Sequence, residues 1–118
     1  MKITNIQGIA FVNTVNNSMS GKRLPVRISF AIKQNYNRIL ENQIKPYEET
    51  KRELRELHKD TAEGNEKLQQ ELEKLLMEET EMDIKCVELG ELEKLDMDHA
   101  YDKLSIHEID AMSFMIAE

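Results

Sequence analysis

The chain has few residues that interrupt or cross-link a fold: among its 118 residues are four glycines, two prolines, one cysteine and no tryptophan. Turn-rich β folds need more glycine and proline, so this composition indicates helices. The single Cys86 cannot form an internal disulfide. No apolar run is long enough to cross a bilayer, and the start of the chain lacks a signal peptide's hydrophobic region. We therefore predict a cytoplasmic protein with one domain over residues 1–118.

Charge is unevenly distributed between the two halves of the chain. Residues 1–59 contain 11 basic and 5 acidic residues, a net charge of +6. Residues 60–118 contain 5 basic and 18 acidic residues, a net charge of −13, so the whole chain carries −7. Because fields of opposite sign attract, we expect either that the acidic half packs on the basic half or that two chains pair head to tail.

One long amphipathic helix is predicted from about Leu24 to His58, and the rest of the chain is expected to pack along it. Its apolar residues recur at spacings of three and four: Ile28, Ile32, Tyr36, Ile39, Leu40, Ile44, Tyr47, Leu54 and Leu57. Pro25 suits the first helical position, because its φ is already helical and it has no N–H to leave unpaired. Pro46 lies inside the helix, where we expect a kink or a break.

Shorter helices are predicted on both sides of the long helix. Thr4 and Gln7 fit a capping box for a helix over about residues 5–16. We predict its apolar face from the residues Ile6, Ile9, Ala10, Phe11, Val12 and Val15. After a turn at residues 59–65, leucines at helical spacing predict another helix over about residues 65–79. A short link between two amphipathic helices favours an antiparallel hairpin.

A short strand is predicted after the hairpin. Met82, Ile84 and Cys86 alternate with charged residues, which is the period of a half-buried strand. This register predicts a buried, unreactive thiol at Cys86. Because a lone strand is unstable, we expect it to pair with residues 93–97 or with another copy of the chain.

A last helix is predicted over residues 106–117, since Ser105 and Glu108 form a capping box. Such a helix is too short to be stable alone and must dock. One of its faces carries a C-terminal apolar stripe, formed by Ile109, Met112, Met115 and Ile116. This stripe packs either on the chain's own core or on a partner. The predicted fold class is mainly α (α+β), with a long kinked helix in an antiparallel helical hairpin, a short strand and a C-terminal capped helix.

A second candidate binding site is the basic cluster of Lys22, Arg23 and Arg27. These cations lie near the start of the long helix, where they oppose the helix dipole. A solvated turn is the ordinary explanation of such a cluster. The alternatives are an anionic partner and a carboxylate of the same chain.

No catalytic signature is present. The three histidines do not have the spacing of metal ligands on one helix, and the acidic residues between 96 and 102 lack the glycine and closing glutamate of a calcium loop. There is no Gly-rich phosphate loop or nucleophile elbow. Glutamates interrupt the basic residues of the first half, which disfavours nucleic-acid binding. We predict a protein that is not an enzyme and has no metal or cofactor.

Two stretches of the chain resemble a group of known proteins. The stretch 22–33 begins Lys22-Arg23-Leu24-Pro25, and the second runs from Glu81 to Glu118. Both resemble small uncharacterised proteins encoded by phages and prophages of Gram-positive bacteria, in which a basic Leu-Pro-Val segment opens a long helix and a similar tail closes the chain. The resemblance implies an accessory protein that binds a host protein, including components of defence systems, or assists particle assembly.

The predicted function is therefore non-enzymatic. We expect the protein to bind, and to inhibit, a host protein such as a defence-system component in the host cytoplasm, and to form a homo-oligomer. The alternatives are a virion component or assembly chaperone, and a protein that sequesters a small anionic ligand. The residues predicted to form the interface are Ile109, Met112, Met115, Ile116, Lys22, Arg23 and Arg27.

Overall fold

A computed structural model describes residues 1–59 and 62–118, which form an elongated molecule of 57 × 24 × 20 Å. A continuous helix runs nearly its whole length: α2 is Val26–Ile39, a π-helical segment is Leu40–Ile44, and α3 is Lys45–Leu57. At 1.5 Å per residue this helix is about 48 Å long. The predicted long helix is thereby confirmed. The position of Pro25 is corrected by one residue, since it is the N-cap and Val26 is the first helical residue.

The distortion expected at Pro46 takes the form of the π-helical segment directly before it. The N–H of Lys45 donates to the carbonyl of Leu40, five residues back. In an ordinary α-helix the proline ring would clash with the carbonyl four residues earlier, at Asn42. The wider π turn accommodates the ring, so the helix is not broken at this point.

The N-terminal helix α1 (Asn5–Thr14) begins at the predicted capping box. The N–H of Gln7 donates to Thr4 Oγ1 at 3.2 Å, and the N–H of Thr4 donates to Gln7 Oε1 at 2.9 Å. The helix continues as a π-helical segment, Val15–Met19, past its predicted end at residue 16. Its buried face differs from the predicted apolar face, because Phe11 and Val12 are buried whereas Ile6 and Ala10 are exposed.

A close approach of two helices sets this orientation of α1. Gly8 faces the long helix, and a Cβ at Gly8 would lie 2.3 Å from Oε1 of Gln43 and 3.1 Å from Cγ2 of Ile39. The absence of a side chain at Gly8 therefore lets α1 lie against the π-helical segment. Gln43 is 1% exposed, and its Nε2 donates to the carbonyl of Ile3 at 2.8 Å.

Helix α4 (Ala62–Met77) forms the predicted hairpin with α3. The last turn of α4 lies near the π-helical segment that precedes α3, since the carbonyl of Leu75 accepts from Nδ2 of Asn5 while Gln43 donates to the carbonyl of Ile3, two residues before Asn5. The middle of α4 lies near the end of α3, where His58 meets Glu71. The two helices are therefore antiparallel. The predicted turn over residues 59–65 includes residues 60 and 61, which lie outside the described part, and α4 already begins at Ala62.

Two small sheets join the ends of the chain to its middle. Strand β1 (Lys2–Thr4) pairs antiparallel with β2 (Glu79–Glu81), with Ile3 opposite Thr80. Strand β3 (Val87–Glu88) pairs parallel with β4 (Ile116–Ala117). The prediction of a strand over residues 82–86 is therefore wrong in its position, since β2 ends before these residues and β3 begins after them.

Side chains of the long helix hold residues 83–85 in place, whereas the backbone of Met82 bonds to that of Met1 beside β1. Asn35 bonds to both backbone groups of Lys85, and Arg38 Nη1 donates to the carbonyl of Asp83 at 2.6 Å. The expected partner at residues 93–97 is wrong, because α5 (Leu89–Glu93) and a 3₁₀ turn (Lys94–Met97) occupy that part of the chain. Cys86 is exposed, which corrects its prediction as a buried thiol.

The last helix, α6 (Ile106–Met112), is shorter than predicted. Its capping box is confirmed: the N–H of Glu108 donates to Ser105 Oγ at 3.1 Å, and the N–H of Ser105 donates to Glu108 Oε1 at 2.8 Å. A 3₁₀ turn at Ser113–Met115 ends the helix, and the chain then extends into β4. The core is formed where α1, α2 and α6 meet, with its largest fully buried apolar side chains at Phe11, Ile3, Ile28, Ile39, Met112, Met115 and Val87.

Candidate functional site

The C-terminal apolar stripe divides into buried and accessible residues. Met112 and Met115 are 0% exposed and belong to the core. Ile116 is half-buried and lies in β4, where it is paired with Val87. Ile109 remains 42% exposed. The prediction that Met112 and Met115 contribute to an interface is thus corrected, because both side chains are already covered by their own chain.

Aromatic packing explains why this part of the stripe is covered. The rings of Phe11 and Phe114 meet edge to face, with centroids 5.2 Å apart and planes at 78°. This contact fastens the 3₁₀ turn after α6 onto α1. Met112 on α6 and Met115 in the 3₁₀ turn are buried, whereas Ile109 on α6 stays accessible.

Exposed isoleucines on two neighbouring helices define what we call the α1–α6 surface, formed by Ile6, Ala10, Ile106 and Ile109. Ile106 is 88% exposed and Ile6 is 47% exposed. Ile6 and Ala10 line a cleft of about 200 Å³ together with Asp110, whereas Ile106 and Ile109 lie outside its lining. The start of α6 instead meets the end of α1, where His107 contacts Thr14. Exposed apolar side chains on two adjacent helices are candidates for a contact surface.

The basic cluster is largely neutralised within the chain. Lys22 Nζ lies 2.9 Å from Glu108 Oε1 and donates to the carbonyl of Lys103 at 2.7 Å. Arg27 Nε lies 3.2 Å from Glu91 Oε1, although the Arg27 side chain is mostly exposed. The sequence left three explanations of the basic cluster open. For Lys22 and Arg27 the explanation is pairing with carboxylates of the same chain.

Arg23 contributes through its backbone. Its N–H donates to Asp102 Oδ2 at 2.7 Å, and its carbonyl accepts from the N–H of Asp102 at 2.8 Å. These bonds fasten the residues before α6 to the turn before α2. The acidic half therefore packs back on the basic half within one chain, which is the first of the two arrangements that the charge distribution predicted.

Glu108 is the most deeply buried carboxylate of this contact, with 2% of the residue exposed. Burial alone would raise the pKa of Glu108. The Ser105 backbone N–H, the Lys22 ammonium and the hydroxyls of Ser18 and Ser105 outweigh burial and lower the pKa to about 2. Ser18 Oγ donates to Glu108 Oε2 at 2.9 Å. Glu108 is thus ionised at neutral pH and links the reversal before α2 to the start of α6.

The residues considered for chemistry lie apart from one another. His58 Nε2 lies 2.9 Å from Glu71 Oε2 in the hairpin, whereas His107 Nε2 lies 3.4 Å from Thr14 Oγ1 beside α6. Within residues 1–59 and 62–118, no group of three or more His, Cys, Asp or Glu side chains is placed to hold a metal ion. None of the helices in that part of the chain has the length and apolarity needed to cross a membrane.

Comparison with protein-family models, with curated proteins and with solved structures gives no match. The functional inference therefore rests on the residues of this chain. Sequence reasoning identified Ile109 but missed Ile106. The signal was available, because Ile106 lies three residues before Ile109 and continues the spacing of the C-terminal stripe.

Proposed function

We propose that this protein acts by binding another protein through the α1–α6 surface. One observation carries the proposal: Ile106 and Ile109 are 88% and 42% exposed on a helix that buries Glu108 and Met112 on its other side. The α6 backbone is held by the Ser105 cap and by Glu108, so the surface is preformed. A preformed apolar surface loses little conformational entropy on binding.

The proposed partner is a host protein, such as a component of a defence system, and binding inhibits that partner. The resemblance of residues 22–33 and 81–118 to phage and prophage proteins supports this choice. Self-association through the same isoleucines is part of the proposal, because a twofold dimer would place the α1–α6 surfaces of two copies against each other. A virion component or assembly chaperone is the alternative, and it predicts a larger multimer that co-purifies with capsid or tail proteins.

The test compares three forms of the full chain by light scattering and by affinity capture from host lysate. The double variant Ile106→Asp with Ile109→Asp places two charges on the α1–α6 surface without entering the core. The matched control is Val26→Asp, since Val26 is 85% exposed and lies at the start of α2, where an acid is compatible with the helix dipole. Circular dichroism checks that all three forms keep their helix content.

We expect the unchanged protein and the Val26→Asp control to retain a stoichiometric host partner that the double variant loses. If the double variant loses only self-association and no host protein is captured, the surface joins copies of this chain and the inhibitor function is wrong. Retention of every partner by the double variant, or a monomer without partners in all three forms, would overturn the proposed site.

A further inference from the structure

A cavity of about 270 Å³ lies between the π-helical end of the first helix and the start of the long helix. Its apolar wall is formed by Val15, Met19, Leu24 and Ile32. Met19 and Ile32 belong to the core, and Val15 and Leu24 pack against it. This wall is therefore part of the folded body of the protein and is present before any ligand arrives.

The polar side of the same cavity carries only cations and hydroxyl groups. Its lining residues in the described part of the chain include Lys22, Lys33, Ser20, Ser29 and Tyr36, and none of them is acidic. Tyr36 is held in place because its hydroxyl donates to Asn16 Oδ1 at 2.9 Å. An apolar wall facing cations and hydroxyls is the lining expected of a site for an amphipathic anion.

The two lysines differ in how their charge is balanced. Lys22 is paired with Glu108, so that pair contributes almost no net charge to the cavity. Lys33 is exposed, and none of the carboxylates whose side chains the structure describes lies within 4.0 Å of its ammonium group. The cavity therefore offers one uncompensated positive charge, beside a second ammonium that is already engaged.

We propose that this cavity binds a small amphipathic monoanion, namely a carboxylate with a short hydrocarbon or aromatic body. The carboxylate would pair with Lys33 and accept a hydrogen bond from the hydroxyl of Ser20. The other two hydroxyls of the cavity already donate within the chain, Ser29 to the carbonyl of Leu24 and Tyr36 to Asn16. The apolar body would lie on the wall at Met19 and Ile32. A single uncompensated ammonium suits one negative charge better than the two of a phosphate monoester. This site is separate from the α1–α6 surface, so neither proposal depends on the other.

The experiment titrates the full chain with octanoate below its micelle concentration and follows binding by calorimetry and by melting temperature. Two control ligands have the same apolar body: octanol, which is uncharged, and octylamine, which is positively charged. We expect octanoate to bind and to raise the melting temperature, because a ligand that binds only the folded state stabilises it. Octanol should bind at least about tenfold more weakly, since it lacks the charge-assisted contact, and octylamine should not bind.

Two variants locate the site. Lys33→Gln removes the uncompensated charge and should weaken octanoate binding about tenfold, whereas the control Lys67→Gln removes an exposed lysine of α4 and should leave it unchanged. Ser29→Leu places a larger apolar side chain in the cavity and should abolish binding while the chain stays folded. The proposal would be overturned if the unchanged protein bound no octanoate or bound all three ligands equally. It would also be overturned if octanoate binding survived both Lys33→Gln and Ser29→Leu.

Discussion

The carboxamide of Asn35 pairs with both backbone groups of Lys85. Its Oδ1 accepts from the N–H of Lys85 at 2.8 Å, and its Nδ2 donates to the carbonyl of Lys85 at 2.8 Å. Asn35 itself is 0% exposed. The side chain thus supplies the two hydrogen bonds that a neighbouring strand would have supplied, and it attaches the acidic half of the chain to the long helix.

Replacement of Asn35 with leucine should therefore destabilise the fold. The change removes the partner of the N–H and the carbonyl of Lys85, but Lys85 is exposed and both bonds are only partly buried, so water replaces part of each. We expect a loss of about 1–2 kcal/mol in the free energy of unfolding, measured by urea denaturation. The control is Asn37→Leu on the exposed side of the same helix, which should change stability by less than about 0.5 kcal/mol. Equal losses in the two variants would contradict the role given to Asn35.

The close approach at Gly8 predicts that alanine is harmful there. In an exposed helix interior, alanine stabilises relative to glycine by about 1 kcal/mol. At Gly8, however, the new methyl group must displace the Gln43 carboxamide and its bond to Ile3, so we expect a net loss of about 1 kcal/mol or more.

The matched control is Gly90→Ala, since a Cβ at Gly90 meets nothing within 4 Å. This variant should be neutral or more stable by up to about 1 kcal/mol. Thermal or urea unfolding of both alanine variants measures the difference. A stabilised Gly8→Ala variant would mean that α1 does not lie as close to the long helix as described.

The two residues Met112 and Ile109 should respond differently to truncation. Met112→Ala leaves a cavity in the core and should cost about 2–5 kcal/mol, whereas Ile109→Ala should cost about 1 kcal/mol or less because its side chain is half in water. Urea unfolding followed by circular dichroism measures both. Aspartate at Met112 and Met115 together should abolish folding. Retained helix content in that double variant would instead support these methionines as surface residues.

Acid should weaken the link made by Glu108. The pKa of Glu108 is lowered to about 2 in the folded chain, from an ordinary value of 4.5. A group with a depressed folded pKa contributes stability above its unfolded pKa, and that contribution is lost as the pH falls through the folded value. The stability advantage of the unchanged protein over Glu108→Gln should therefore be full above about pH 5 and should disappear between pH 4.5 and about pH 2.

The control for this pH dependence is Asp110→Asn, since Asp110 is exposed on the same helix. Its stability difference from the unchanged protein should vary little over the same pH range. Urea unfolding at a series of pH values measures both differences. A Glu108→Gln variant whose stability difference does not change with pH would show that Glu108 is not ionised in the folded state.

Much of the secondary structure could be predicted, because its causes are local. The two capping boxes, at Thr4 with Gln7 and at Ser105 with Glu108, involve residues three apart, and both are formed as predicted. The long helix and the hairpin follow from apolar spacing. The strand near residues 82–86 was misplaced because alternation indicates an extended chain and says nothing of its partner, which here is the side chain of Asn35.

The sequence alone determined the helices, their caps and the attraction between a basic and an acidic half, because these depend on neighbours along the chain and on total charge. Only the tertiary structure decided which side of each helix is covered. Gly8 and Gln43, 35 positions apart, turn Phe11 inward and Ile6 outward, and the contact of Phe11 with Phe114 buries Met112 while Ile109 stays accessible. Burial depends on contacts between distant residues, which periodicity does not record.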